Sequence, residues 1–357
     1  MLIVDAHEDI AWNIHTFGRD YTRSALWNRC REAGTEIPSY NGSTLLGKSE
    51  WLLGHVGVIF ASLFVLPAQH DPGGWNVLCY SSPQEAHDLA LAQLETYSDL
   101  VDRDDRFHLI STRADLEEVL ATWGAEKSLV DRRIGLVPLM EGADPILEPE
   151  QVEEWHERGV RIVGLAWEST RYAGGTHEPG PLTPAGKHLL EVMVSLNLIL
   201  DLSHLSEAAY FQALELYEGS VIVSHANPHR FCPAPRGLTD RMIAGLAERD
   251  GVMGIVPYNA FLMPGWQKGD RKDAVHVTRV VDAIDHVCQV TGSYRHVGIG
   301  TDFDGGFGAE HVPAEIDTIA DLHTLQQPLE QRGYSPEQVA AIFAGNWLRM
   351  LRAALPE

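Results

Sequence analysis

Short runs of apolar, largely β-branched residues recur along this chain at 2–5, 57–65, 134–140, 160–166, 196–202, 220–223, 252–257 and 297–300. Each is almost continuously apolar, as strands buried on both faces must be. Between them lie polar loops and stretches with helical spacing, such as 83–101 and 274–290. Ser206 and Thr239 stand where N-caps would open helices over 207–217 and 240–248, and Ser335-Pro336-Glu337 opens the last main helix. Strands alternating with helices imply a parallel sheet, and eight such runs match the count of a (β/α)8 TIM-type barrel. A doubly wound open sheet is the rival, but no Gly-x-Gly-x-x-Gly follows the first run. A ninth run at 107–110 is read as a short extra strand. Residues 11–54 hold several Trp and Tyr residues with little periodicity and are read as a long N-terminal loop insertion near the barrel mouth. The whole of 1–357 is read as one barrel domain.

Charge narrows the partners. The chain carries 50 acidic against 27 basic residues, a formal net charge of −23. Such a balance lacks the Lys/Arg stripes that a phosphate backbone requires and is repelled by anionic membrane surfaces, so neither nucleic acid nor membrane is expected as a partner. It favours attraction of cations. Residues 1–7 show no basic region and no apolar stretch of the signal-peptide kind, and the apolar run 56–67 is too short to span a bilayer. Cys30, Cys79, Cys232 and Cys288 show no CxxC spacing, so a reduced, cytoplasmic setting is expected. The expected partner is a small-molecule substrate, with a homodimer left open.

The ionisable residues give the barrel a purpose. His7 and Asp9 follow the first run, Glu141 the third, His204 the fifth, His225 the sixth and Asp302 the eighth. All fall at the C-terminal ends of strands, where barrel enzymes assemble their sites. Taken one at a time they have ordinary uses: His7-x-Asp9 as a capping pair, His204 as a helix-start residue beside Ser206, Glu141 as a strand end, Asp302 as an Asx-turn. Their shared placement argues for chemistry instead. Imidazole and carboxylate suit Zn2+ or a similar divalent ion. In His7-x-Asp9 both side chains leave the same side of an extended segment and can share one ion. His204 and His225 come from neighbouring strands and can hold a second, with Glu141 between the two. Two such ions can share a hydroxide and clamp a polarised oxygen, leaving Asp302 to carry the proton.

These residues sit in segments with a familiar look: Asp5-Ala6-His7-Glu8-Asp9, Glu141-Gly142, Asp201-Leu202-Ser203-His204, Ser224-His225, Arg236-Gly237-Leu238-Thr239-Asp240, Gly298-Ile299-Gly300-Thr301-Asp302-Phe303-Asp304-Gly305 and Gly345-Asn346-Trp347-Leu348. In this order, across nearly the whole chain, the sequence resembles the membrane (renal) dipeptidase family of the amidohydrolase superfamily. The resemblance implies two divalent ions, Zn2+ first among them: one on His7 and Asp9, the other on His204 and His225, with Glu141 bridging. It implies Asp302 as the proton shuttle and Arg236 as the grip on the substrate's free carboxylate. It implies a zinc-dependent dipeptidase, or small-amide hydrolase, working through a metal-bridging hydroxide. The alternatives are an amidohydrolase of the same site acting on N-acyl amino acids, lactones or other small amides, and a non-catalytic barrel that binds metal or ligand. One position departs from the family: after the fourth run Trp167 stands where the better-known dipeptidases carry a histidine that helps bind the reacting carbonyl. An indole N–H donates but cannot ionise, so the substrate is expected to keep its carboxylate and to carry an apolar group near the scissile amide.

Overall fold

The computed structural model describes residues 1–357. The eight runs become β1 (Ile3–Glu8), β2 (Val56–Phe64), β3 (Ile134–Glu141), β4 (Ile162–Gly164), β5 (Ile199–Asp201), β6 (Val221–Ala226), β7 (Val252–Ile255) and β8 (Val297–Ile299). They pair in chain order, every pairing is parallel, and β8 returns to β1, which closes a (β/α)8 barrel. Phe107–Leu109 adds a short strand outside the ring, against β3. Register sets the strand ends level: Phe64 pairs with Glu141, Glu141 with Gly164 and Gly164 with Asp201.

Strand alternation divides the apolar residues into two layers. Val4, Val58, Phe60, Val137, Leu139, Ile162, Ile199, Ile222 and Val252 fill the barrel interior. Ile3, Ile59, Leu136, Val163, Leu200 and Val221 point outward into the layer covered by helices. The interior is stoppered at its amino-terminal end by Trp347 and Leu351 of the helix Asn346–Ala354. The Trp347 indole donates to the Ile299 carbonyl at 3.0 Å. It lies so close to Gly298 that a Cβ there would overlap it, which is why this strand position is glycine. With that end plugged, the carboxyl ends of the strands are left for a site.

The expected caps form: Ser206 accepts from the Ala209 N–H and Thr239 from the Met242 N–H. Two expectations need correction. The stretch 11–54 is not loop but carries short helices at Ile10–Phe17, Ala25–Glu32, Ile37–Asn41 and Lys48–Leu53. Each spans eight residues or fewer, too short to print a helical period on the sequence. The helix expected from 274 starts at Val277, because Lys272–Ala274 forms a separate 3-10 turn. No helix is long and apolar enough to cross a membrane, and none of the four cysteines is in a disulfide.

Candidate metal centre

Six side chains meet at the open end of the barrel. His7, Glu141 and His225 are in the last residues of β1, β3 and β6 rather than beyond them, while Asp9, His204 and Asp302 lie in the turns that follow β1, β5 and β8. His204 and Asp302 take left-handed backbone, with φ of 64° and 57°. A non-glycine residue in this region is uncommon and is held there by its surroundings.

Glu141 is the centre of the cluster. Its Oε2 stands 3.2 Å from His7 Nε2, and its Oε1 stands 3.0 Å from His204 Nε2 and 3.5 Å from His225 Nε2. His7 Nε2 is 3.8 Å from Asp9 Oδ2. Ligand atoms within 4.8 Å of one another form three overlapping groups: His7, Asp9 and Glu141; Glu141, His204 and His225; and His7, His225 and Asp302. The first two share Glu141 through different oxygens. The third shows that Asp302 stands within reach of the same space.

Hydrogen bonds around the cluster fix which way each ring points. Ser224 Oγ has one hydrogen, given to Asp201 Oδ2 at 2.5 Å, so it accepts from His225 Nδ1 at 2.8 Å. That leaves the lone pair of His225 on Nε2. Thr176 Oγ1 donates to the His204 carbonyl at 3.3 Å and so accepts from His204 Nδ1 at 3.1 Å, leaving that lone pair on Nε2 as well. The two Nε2 atoms are 3.0 Å apart. Burial, followed by the charge of Arg236, pulls His204 down to about 4. Burial, then the charge of His7, holds His225 well below the ordinary imidazole value. Both rings are neutral, and two lone pairs face each other beside a carboxylate oxygen. His7 is fully buried and neither of its ring nitrogens has a hydrogen-bond partner. Orphaned, mutually repelling acceptors of this kind are what a cation satisfies, and the N/O donor set is that of Zn2+.

The carboxylates are tuned against one another. Burial opposes the charge on Glu141, but the neighbouring charge of His7 holds it well below the usual range. Burial works against protonation of His7, yet Glu141, Asp9 and Asp302 push it up to about 10. Burial raises Asp9 to about 6, and burial with the neighbouring Asp9 charge carries Asp302 well above the carboxylate range. So much unshielded negative charge again calls for cations.

Further residues, to which the sequence assigns no role, hold these groups in place. Ser62 Oγ donates to Asp9 Oδ1 at 2.6 Å. Asp201 accepts from the Ser203 and Ser224 hydroxyls and so braces His225 through Ser224. Asp5 does the same between β1 and β8, taking the Thr301 N–H at 2.7 Å. Asp304, fully buried, accepts from Tyr21 Oη at 2.6 Å and from the Leu45 N–H at 2.8 Å, and pairs with Arg19 at 3.0 Å. It thereby ties the loop carrying Asp302 to the N-terminal helices. Gly305 passes so close to the site that a Cβ would overlap the Asp302 carboxylate and lie 2.6 Å from Asp9 Oδ2.

A cavity of about 240 Å³ opens above the cluster, walled by Trp12, Phe64, Leu66, Trp75 and Trp167. The ring of Trp167 lies 5.3 Å from that of Phe64 and 6.0 Å from that of His204. Arg236 is not part of this wall: it follows β6, is buried, donates from Nη2 to the His225 carbonyl, and its charge reaches Asp302 and Glu141.

Comparison with known proteins follows the same lines. The family model described as Membrane dipeptidase (Peptidase family M19) matches residues 1–355. An uncharacterized protein from the pqqA 5′ region of Klebsiella pneumoniae is 29% identical over 283 residues, 76% of this chain and 98% of its own length. Dipeptidase aclJ of Aspergillus oryzae is 31% identical over 202 residues, 55% of this chain but only 46% of that relative. Among solved structures, a metallopeptidase from Rhodobacter sphaeroides liganded with a phosphinate mimic of L-Ala-D-Ala superposes with a TM-score of 0.78 over 99% of both chains at 23% identity. The probable dipeptidase PvdM from Pseudomonas aeruginosa superposes with a TM-score of 0.79 over 99% of this chain and 96% of its own, at 19% identity. At these identities the structural likeness is one of fold.

Proposed function

Because the chain belongs to the membrane dipeptidase family, peptidase family M19, we propose that it is a binuclear metal-dependent hydrolase of a dipeptide or similar small amide bearing a free carboxylate. One observation carries the reading: the lone pairs of His204 and His225 converge, 3.0 Å apart, on an oxygen of Glu141 whose other oxygen faces His7. His7, Asp9 and Glu141 would hold one divalent ion, and Glu141, His204 and His225 the other, with Zn2+ the best match to these donors. When bound, the pair supplies electrophilic polarisation of the scissile carbonyl and lowers the pKa of water.

The remaining work falls to the chain. Asp302 accepts the proton of the attacking water and returns it to the leaving nitrogen. Arg236, buried with no carboxylate partner in the chain, offers its fork to the substrate's carboxylate. A cavity of about 240 Å³ is smaller than the roughly 300–1,000 Å³ of drug-sized sites, which suits a substrate of dipeptide size. Trp167 and its aromatic neighbours favour an apolar group beside the scissile amide. The dipeptide mimic held by the Rhodobacter sphaeroides structure makes L,D dipeptides a natural part of the substrate panel. The second reading, N-acyl amino acids or lactones, is favoured specifically by Trp167 in place of an ionisable side chain. In this account residues 1–357 act as one hydrolase domain, and the cysteines stay reduced in a cytoplasmic setting.

The test is a screen of Zn-loaded protein against L,L and L,D dipeptides, N-acyl amino acids and lactones. Turnover of carboxylate-bearing amides supports the reading. Turnover of lactones alone, or of nothing, overturns it.

A further inference from the structure

Strands β6, β7 and β8 are neighbours in the ring. Arg236 lies in the segment after β6, Lys268 in the segment after β7, and Gly305 and Gly306 in the turn after β8. The two glycines line the substrate cavity together with Asp302. Gly306 has a left-handed φ of 86°, and a Cβ there would meet nothing within 4 Å. Room is therefore open beside this turn, on the side of the barrel where Arg236 lies. A substrate whose α-carboxylate is held by Arg236 places its carboxyl-terminal residue on that same side.

Lys268 stands at the edge of this room. Its Nζ donates to the Gly306 carbonyl at 2.6 Å, which uses one of the three ammonium hydrogens. It forms no ion pair, although the chain carries a net charge of −23, and burial alone pulls its pKa below the ordinary lysine value. The residue still reaches solvent. Acidic side chains in the surrounding loops are engaged elsewhere: Asp270 accepts from the Gln267 N–H at 2.8 Å, and Glu310 from the Ser43 N–H at 2.9 Å. His311 accepts from the Gly308 N–H through Nδ1 at 3.1 Å, so its own hydrogen is on Nε2. Burial, then the Lys268 charge, lowers the pKa of His311 and keeps the ring neutral. An ammonium that has lost part of its water without gaining a carboxylate is relieved by an anionic ligand.

We infer that Lys268 selects the carboxyl-terminal residue of the substrate and favours an acidic one, aspartate or glutamate. The side-chain carboxylate takes the free hydrogens of the ammonium while Arg236 holds the α-carboxylate. This rests on the function proposed above. The reaction is a hydrolysis: the amide C–N bond breaks, the acyl carbon gains the oxygen of water, and the leaving nitrogen takes a proton. The products are two amino acids, the second of them acidic.

The experiment compares alanyl-glutamate with alanyl-glutamine, and alanyl-aspartate with alanyl-asparagine, on the Zn-loaded full chain, with the second residue in each enantiomer. Within a pair the shapes match and only the side-chain charge differs. The expected result is a kcat/KM about tenfold or more higher for the acidic member of at least one pair, as a charge-assisted contact supplies. Lys268→Met should erase that preference by lowering the acidic member alone, whereas a merely structural lysine would lower both. Lys268→Glu should raise kcat/KM for alanyl-lysine above the wild-type value, a gain that misfolding cannot mimic. A smaller preference in every pair, a preference that survives Lys268→Met, or no gain in Lys268→Glu overturns the inference, and the proposed function stands as long as alanyl-alanine is hydrolysed. Failure to hydrolyse any of these dipeptides, alanyl-alanine included, overturns the proposed function itself.

Discussion

His204 Nε2 and His225 Nε2 stand 3.0 Å apart, each presenting a lone pair, because Thr176 and Ser224 hold the ring protons on the opposite nitrogens. Two neutral imidazoles do not choose this arrangement in the absence of a cation. The proton placement is therefore part of the metal site, as is usual for the outer partners of metal-bound histidines.

Removing those outer partners should weaken metal binding. Thr176→Val and Ser224→Ala each free a ring to rotate or change tautomer, and each should cost about 10–100-fold in Zn2+ affinity. Competition with a chromophoric chelator measures this, with circular dichroism to confirm folding. Wild-type affinity in both variants would mean that the rings are oriented by packing alone.

Asp302→Asn should keep both metals and lower turnover by roughly 10²-fold or more, the usual contribution of a positioned acid or base. Asp302 also lies within ligand distance of His7 and His225. Loss of metal along with turnover in this variant would make it a ligand, and near wild-type turnover would remove it from the reaction.

Asp304 answers for the geometry of that loop. Asp304→Ala leaves Arg19 buried with one partner fewer and cuts the tie between the Asp302 loop and the N-terminal helices. Breaking a buried pair in this way costs about 3–5 kcal/mol. Chemical denaturation should report a loss of that order. A change under about 1 kcal/mol would show that the N-terminal helices hold without it.

Arg236→Ala should raise KM for carboxylate-bearing substrates with little change in kcat, since a lost charge-assisted contact costs about 1.5–3 kcal/mol. Trp167→His, measured beside it, should improve turnover of simple dipeptides. Unchanged kinetics in Arg236→Ala on every such substrate would move neutral amides and lactones to the front.

The barrel could be read from the sequence because its strands are buried on both faces, so runs such as 134–140 and 252–257 stand out as continuously apolar. The cluster could be read because His7, Glu141, His204, His225 and Asp302 all fall where those runs end. Ser62 and Thr176 could not: hydroxyl side chains are everywhere in a sequence, and only the fold shows that these two touch Asp9 and His204. Asp201 and Ser224 lie inside the family's motifs, yet their pairing spans two strands and appears only once β5 and β6 are side by side. Trp75 stayed hidden because it lies in a loop with no period, brought to the cavity by stacking on Tyr40 and Phe17. The helices of 11–54 are too short to show a period, and buried polar contacts such as Arg19 with Glu32 and Asp304 fasten them down.

The proposed function needs two metals sharing Glu141, and metal stoichiometry tests that most directly. Protein purified without chelator and loaded with Zn2+ should contain about two ions per chain by elemental analysis. Glu141→Gln should reduce that number. A well-folded wild-type chain that takes up one ion or none under Zn2+ loading would contradict the shared-carboxylate centre on which the function rests.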